Sequence, residues 1–115
     1  MSDPRNIFQE LPEVVHGGTT SRYQLLTESK LSLGKVATYN YAWVEPGSEM
    51  EPHQHPDCVE YYLFLVGQAE ILRGANWSPV KPGDFVTIES ETQHSVRNRN
   101  SEKCTFMVLR THQLT

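Results

Sequence analysis

A chain of 115 residues with a formal charge of −4 is long enough for one hydrophobic core and no more. Its 37 % apolar and 21 % charged residues exclude a disordered tail. The densest cations, Arg97, Arg99 and Lys103, form no basic stripe, and the longest apolar run, Tyr61 to Val66, is far too short to cross a bilayer. Nucleic-acid binding and membrane insertion are therefore set aside. The polar start, Met1 to Asn6, has no apolar stretch behind it, so the expected location is cytoplasmic. Cys58 and Cys104 are then expected as free thiols, and the Asn76-Trp77-Ser78 glycosylation sequon carries no weight.

In chain order, Gln9 to Val15 offers at most one turn of helix, because Pro12 lies inside it. A short strand is expected over Arg22 to Thr27. The clearest strand covers Lys35 to Val44, with Tyr39, Tyr41 and Trp43 on one face and Thr38, Asn40 and Ala42 on the other. Further strands are expected over Tyr61 to Val66, Ala69 to Arg73, Phe85 to Ile88, His94 to Asn98 and Cys104 to Arg110. Turn residues punctuate these runs at Gly17-Gly18, Gly34, Pro46-Gly47, Gly67, Gly74-Ala75-Asn76 and Pro82-Gly83-Asp84. Many short strands and no capped helical period predict an all-β sandwich or small barrel.

His53 and His55 carry the first chemical signal. Residues i and i+2 of an extended segment point the same way, so both imidazoles can converge on one point. The Pro56-Asp57 turn would then return Glu60 beside them on a neighbouring strand, and His94 follows the polar turn Ser90 to Gln93 on another. Three imidazoles and a carboxylate suit one divalent transition metal ion: iron, manganese, nickel, copper or zinc. Four protein ligands on an octahedral ion leave two positions for water or substrate. Singly, each residue has a plainer reading as a hydrogen-bonded or solvated side chain, and His16 and His112 stay unassigned. The four together, at this spacing, make the site.

The spacing also resembles a known family. From Gly47 the chain reads five residues, His53, one residue, His55, four residues, Glu60, six residues, Gly67. This is similar to the first signature motif of the cupins, and Gly83, His94, three residues and Asn98 resemble the second. Glu89 and Glu91 stand where that second motif usually has Pro and Gly, which bears on the loop and not on ligation. The resemblance implies one cupin domain over residues 1–115, with a barrel core at about 20–111 and motifs at 47–67 and 83–98. It implies a jelly-roll β-barrel of two antiparallel sheets with the metal at its open centre. Gly47, Gly67 and Gly83 would serve turns, Asn98 would hydrogen-bond backbone behind the site, and two copies would pair as a homodimer, which suits a small core.

If Glu60 points inward, strand alternation turns Tyr62, Phe64 and Val66 inward with it. Tyr62 and Tyr41 are the candidates for a catalytic hydroxyl, against the plainer role of core filling. Arg22, Arg73 and Arg110 would bind a carboxylate if they faced the pocket, but are read as surface residues, and Cys58 as a free thiol beside the site. Two functions remain open. One is a metal-dependent enzyme acting on a small oxygenated molecule by dioxygenase or isomerase/lyase-type chemistry. The other is a metal-containing module that binds or senses a sugar or carboxylate without turnover.

Overall fold

Runs of β-branched and aromatic residues between turn formers leave the backbone little choice but extended structure. In the structure, a computed structural model described here for residues 4–27 and 35–112, they become nine strands. These are β1 (Glu13–Val15), β2 (Thr20–Thr27), β3 (Val36–Val44), β4 (Cys58–Val66), β5 (Ala69–Arg73), β6 (Asn76–Val80), β7 (Phe85–Ile88), β8 (His94–Arg97) and β9 (Cys104–His112). The only helical pieces among the described residues are 3₁₀ turns at Ile7–Gln9 and His16–Gly18, and none could cross a membrane. Two strands were not expected: β1 takes part of the segment assigned to a helical turn, and β6 begins at Asn76. The expected turn at Gly34 lies outside the described residues.

All the pairings are antiparallel. One sheet runs β1-β2-β3-β9-β4-β7 and the other β6-β5-β8. Their inner faces bury Val44, Phe64, Ile71, Ile88, Val96 and Phe106, each at most 2 % exposed. Phe64 and Phe106 pack with ring centroids 5.5 Å apart. Alternation holds along β3, where Asn40, Ala42 and Val44 are buried and their neighbours are not. Along β4 it holds for Glu60, Tyr62 and Phe64 and then fails. A register shift between Phe64 and Val66 against β9 turns Val66 out to 45 % exposure, so its expected inward position is corrected.

Asn98 closes the end of the barrel as the resemblance implied. Its Nδ2 donates to Val44 O at 3.1 Å and Glu102 O at 2.8 Å, and its Oδ1 accepts from Asn100 N at 2.9 Å. Its carbonyl accepts from Gly47 N at 2.7 Å, tying the start of the first motif to the end of the second. On the far side of the larger sheet, Leu63 and Phe85 are 37 % and 62 % exposed and share a shallow apolar groove with Tyr61, Met107 and Leu109.

Two turn positions show opposite solutions to one constraint. Gly67 adopts φ 76°, and a Cβ there would press into the Lys103 carbonyl oxygen, so only glycine fits. Glu91 adopts φ 62° where the second motif would have supplied a turn former, and stores the strain of a left-handed side-chain-bearing residue. Urea unfolding is expected to show Gly67→Ala destabilised by at least about 2 kcal/mol and Glu91→Gly stabilised by about 1 kcal/mol.

Candidate metal centre

His53 and His94 arrive at the site as partners. His53 N donates to His94 O at 3.0 Å and His94 N to His53 O at 2.8 Å, an isolated antiparallel bridge. Directly opposed residues of such a bridge carry their side chains on one side, and the two ring centroids lie 4.3 Å apart. His55, two residues further on, returns to that side with its centroid 5.1 Å from that of His53. Its carbonyl is held by Glu91 N at 3.1 Å, and Asp57 N donates to Ser90 Oγ at 3.0 Å, so the expected turn after His55 is pinned to the loop before His94. Glu60 enters from β4, facing inward at 7 % exposure. One ligand atom from each of the four lies within 4.8 Å of the others.

Hydrogen bonds at the back of two rings fix which nitrogen faces the group. His94 Nδ1 lies 2.9 Å from Thr92 O, and His53 Nδ1 lies 2.8 Å from Glu51 O. A carbonyl only accepts, so in both neutral rings Nδ1 carries the proton and Nε2 presents a lone pair. His94 Nε2 then meets Glu60 Oε1 at 2.9 Å, and neither atom has a well-aligned hydrogen-bond partner. Two buried acceptors face each other. Each such unsatisfied atom costs about 1–3 kcal/mol, and a shared cation removes the cost for both. The N₃O donor set fits a divalent transition metal better than calcium or magnesium, which prefer oxygen throughout.

Without an ion, only a proton relieves that contact. Burial lowers the His94 pKa, but the adjacent Glu60 carboxylate and the Thr92 carbonyl together raise it by more, so it ends above the ordinary imidazole value. Burial raises the Glu60 pKa, and His94, His55 and Arg110 together lower it by more. Burial leads in holding His53 and His55 below the ordinary value. Ionised Glu60 and neutral His53 and His55 are the states a metal requires, and His94 gives up its proton as the ion binds.

His53, His55 and Glu60 border a cavity of about 110 Å³, whose other walls include Tyr62, Arg22, Arg110, Asn40 and His16, with His94 buried behind Glu60. Tyr62 is 3 % exposed, and its pKa stands well above the ordinary value, chiefly through burial and then through Glu60. Tyr41 is on the wrong face. Alternation along β3 points Asn40 and Ala42 inward and leaves Tyr41 outside, edge-on to Phe8 at 5.5 Å, so its expected place beside the site is corrected. Arg22 and Arg110, read as surface residues, line the cavity, whereas Arg73 lies exposed in a different, open groove. Cys58 shares the parity of Glu60 on β4 but stays outside the group of four. Glu89 and Glu91 are exposed.

His16, one of the two histidines that sequence reasoning left unassigned, lines the cavity. It sits in the left-handed region at φ 53° on the turn before Gly17-Gly18, with its ring 4.6 Å from that of His53. Burial, then His53 and Arg22, push its pKa down to about 4, so it is neutral at physiological pH. Its position 37 residues before His53 matches no motif, and only the hairpin of β1 and β2 brings it there.

Fold and site together define a class: a single antiparallel jelly roll whose open centre carries three imidazoles and a carboxylate able to hold a metal. The cupin domain family, Cupin_2, matches residues 41–110, and the chain belongs to it. No curated protein matches the sequence. Among solved structures, a predicted oxalate decarboxylase from Thermotoga maritima superposes with a TM-score of 0.85 at 21 % identity, covering 93 % of this chain and 96 % of that one. KdgF from Halomonas sp. gives 0.79 at 14 % identity, over 99 % and 96 % of the two chains. A cupin 2 conserved barrel domain protein from Salinispora arenicola gives 0.78 at 17 %, over 96 % and 88 %. At these identities the likeness is one of fold.

Chelator competition for zinc between about pH 5 and 8 tests the protonation states. Affinity is expected to fall about tenfold per pH unit once the pH drops below the raised His94 pKa, and more steeply where His53 and His55 also protonate. A flat profile across this range contradicts them.

Proposed function

We propose that this chain is a metal-dependent enzyme acting on a small oxygenated molecule, with one divalent transition metal ion held by His53, His55, Glu60 and His94. The observation that carries the reading is the pair of buried, otherwise unpartnered acceptors, Glu60 Oε1 and His94 Nε2, beside a polar-walled cavity that Glu60, His53 and His55 line. An ion held by these four residues would supply Lewis acidity towards adjacent substrate oxygens or, if redox-active, dioxygen chemistry.

The protein's own groups do the rest. His94 and His53 are oriented by the Thr92 and Glu51 carbonyls, so ligand geometry does not depend on the substrate. Tyr62 retains its phenolic proton at neutral pH and can donate it to an oxygen that gains charge during the reaction. Phe106 and Val108 in the cavity wall limit water around the reacting atoms. These features serve dioxygenase and isomerase/lyase-type reactions alike. The alternative, a metal-containing module that binds or senses its ligand without turnover, uses the same pocket and differs only in lacking chemistry.

Anaerobic reconstitution with iron, followed by oxygen-uptake assays against diketones, thiols, phenols and keto acids, tests the dioxygenase branch; the same panel run with manganese, nickel and zinc and read for product tests the others. In whichever branch turns over, Tyr62→Phe is expected to lower kcat by about 10²-fold or more while leaving metal content unchanged. Metal-loaded protein that binds panel compounds and converts none of them would give the site to the non-catalytic reading.

A further inference from the structure

The cavity has a second polar wall, opposite in character to the ligand group. Arg22 of β2, Asn40 of β3 and Arg110 of β9 project inward from three adjacent strands of the larger sheet. Register brings them together: Arg22 pairs with Ala42, Asn40 with Val108, and Arg110 with both Thr38 and Glu60. Asn40 is 4 % exposed.

Each of the three presents a buried polar atom without a hydrogen-bond partner: Arg22 Nε, Asn40 Oδ1 and Arg110 Nε. For the arginines this is not for want of partners elsewhere on the head group. Arg22 Nη2 donates to Glu13 Oε1 at 2.7 Å, which anchors the guanidinium from outside the cavity. Arg110 Nη1 lies 3.2 Å from His55 Nε2 and 3.3 Å from Nδ1. Buried donors left unpaired cost free energy unless something else accepts from them. Charge points the same way. In a chain of net charge −4, this cavity is lined by two guanidinium groups and a single carboxylate, Glu60. Glu13 offsets Arg22 from outside, but with a divalent ion in the ligand group the cavity would still carry a positive excess over Glu60, and a buried charge excess needs a counter-charge.

We propose that Arg22, Arg110 and Asn40 form the specificity wall of the site and select a small hydroxycarboxylate. This rests on the metal-dependent reading above and deepens it. The two guanidiniums donate to the two carboxylate oxygens, and Asn40 Oδ1 accepts from the hydroxyl. Size sets the limit on the ligand: a cavity of about 110 Å³ admits only a few non-hydrogen atoms beside the metal. Neutral sugars and phenols bring no anionic acceptor to the two buried Nε donors, and buried donors left unpaired are what a polar site rejects most strongly.

Calorimetric titration of the full-length, metal-loaded protein with lactate, lactamide, propionate and inorganic phosphate tests the proposal without reference to turnover. Lactate is expected to bind at least about tenfold more tightly than lactamide, which lacks the charge, and more tightly than propionate, which lacks the hydroxyl. Arg22→Gln and Arg110→Gln are each expected to weaken lactate binding about tenfold and to erase its preference over lactamide, with metal content and melting temperature as controls for folding. Arg22→Lys, which keeps charge but not the fork, should restore binding only in part. Lactate and lactamide binding equally well to metal-loaded wild-type protein, or folded variants with undiminished lactate affinity, would overturn the wall, and tighter binding of phosphate would overturn its selection of a hydroxycarboxylate. Wild-type protein that takes up no metal would instead overturn the metal-dependent reading, and the lactate–lactamide comparison on that metal-free protein would still decide the wall.

Discussion

Glu60 Oε1 and His94 Nε2 lie 2.9 Å apart inside the barrel, and both are acceptors when the ring proton sits on Nδ1. No protein built to minimise its own free energy would place them there without a cation or proton between them, since desolvation alone makes each costly. Much of the surrounding architecture maintains this contact. The isolated bridge between His53 and His94 aligns two rings, the loop contact from Glu91 to His55 aligns a third, and alternation along β4 delivers the carboxylate. The site is thus a property of strand register more than of any loop.

The same register gives the barrel one apolar, packed region and one polar region. The smaller sheet meets the larger over a tightly packed end, where Phe64, Ile71, Val96 and Phe106 exclude water, and Asn98 seals the backbone beyond them. Towards the ligand group the inner face changes from apolar to polar residues: Thr20, Arg22, Asn40 and Arg110 replace aliphatic side chains on β2, β3 and β9. One barrel therefore provides a rigid core and a polar mouth from the same strands. Function placed at that mouth is supported by elements that cannot move without breaking the core, which is the preorganisation a metal site requires.

Much of this was legible in the sequence because period-two patterning and ligand spacing are local signals. His53, His55, Glu60 and His94 could be grouped from their positions alone, and β5 and β7 fall where expected. What escaped depends on irregularity or on distant contacts. The register shift after Phe64 turns Val66 outward, and no residue type announces it. Tyr41 looked as eligible as Tyr62 because alternation gives two faces without saying which is inner, and a polar Asn40 does not announce that its face is the buried one. Arginine favours the surface on average, so the inward turn of Arg22 and Arg110 is visible only once the sheet curls around them. His16 reaches His53 through a hairpin and a left-handed turn, a placement carried by topology and not by spacing.

The central claim is that three imidazoles and one carboxylate hold a single ion. X-ray absorption spectroscopy of the zinc- or iron-loaded protein tests it most directly, because multiple scattering counts imidazoles and sulfur stands apart from nitrogen and oxygen. The account predicts a first shell of nitrogen and oxygen at about 2.0–2.2 Å with three imidazoles and no sulfur, Cys58 and Cys104 remaining unligated. A sulfur scatterer at about 2.3 Å, or a shell with one imidazole or none, would contradict it.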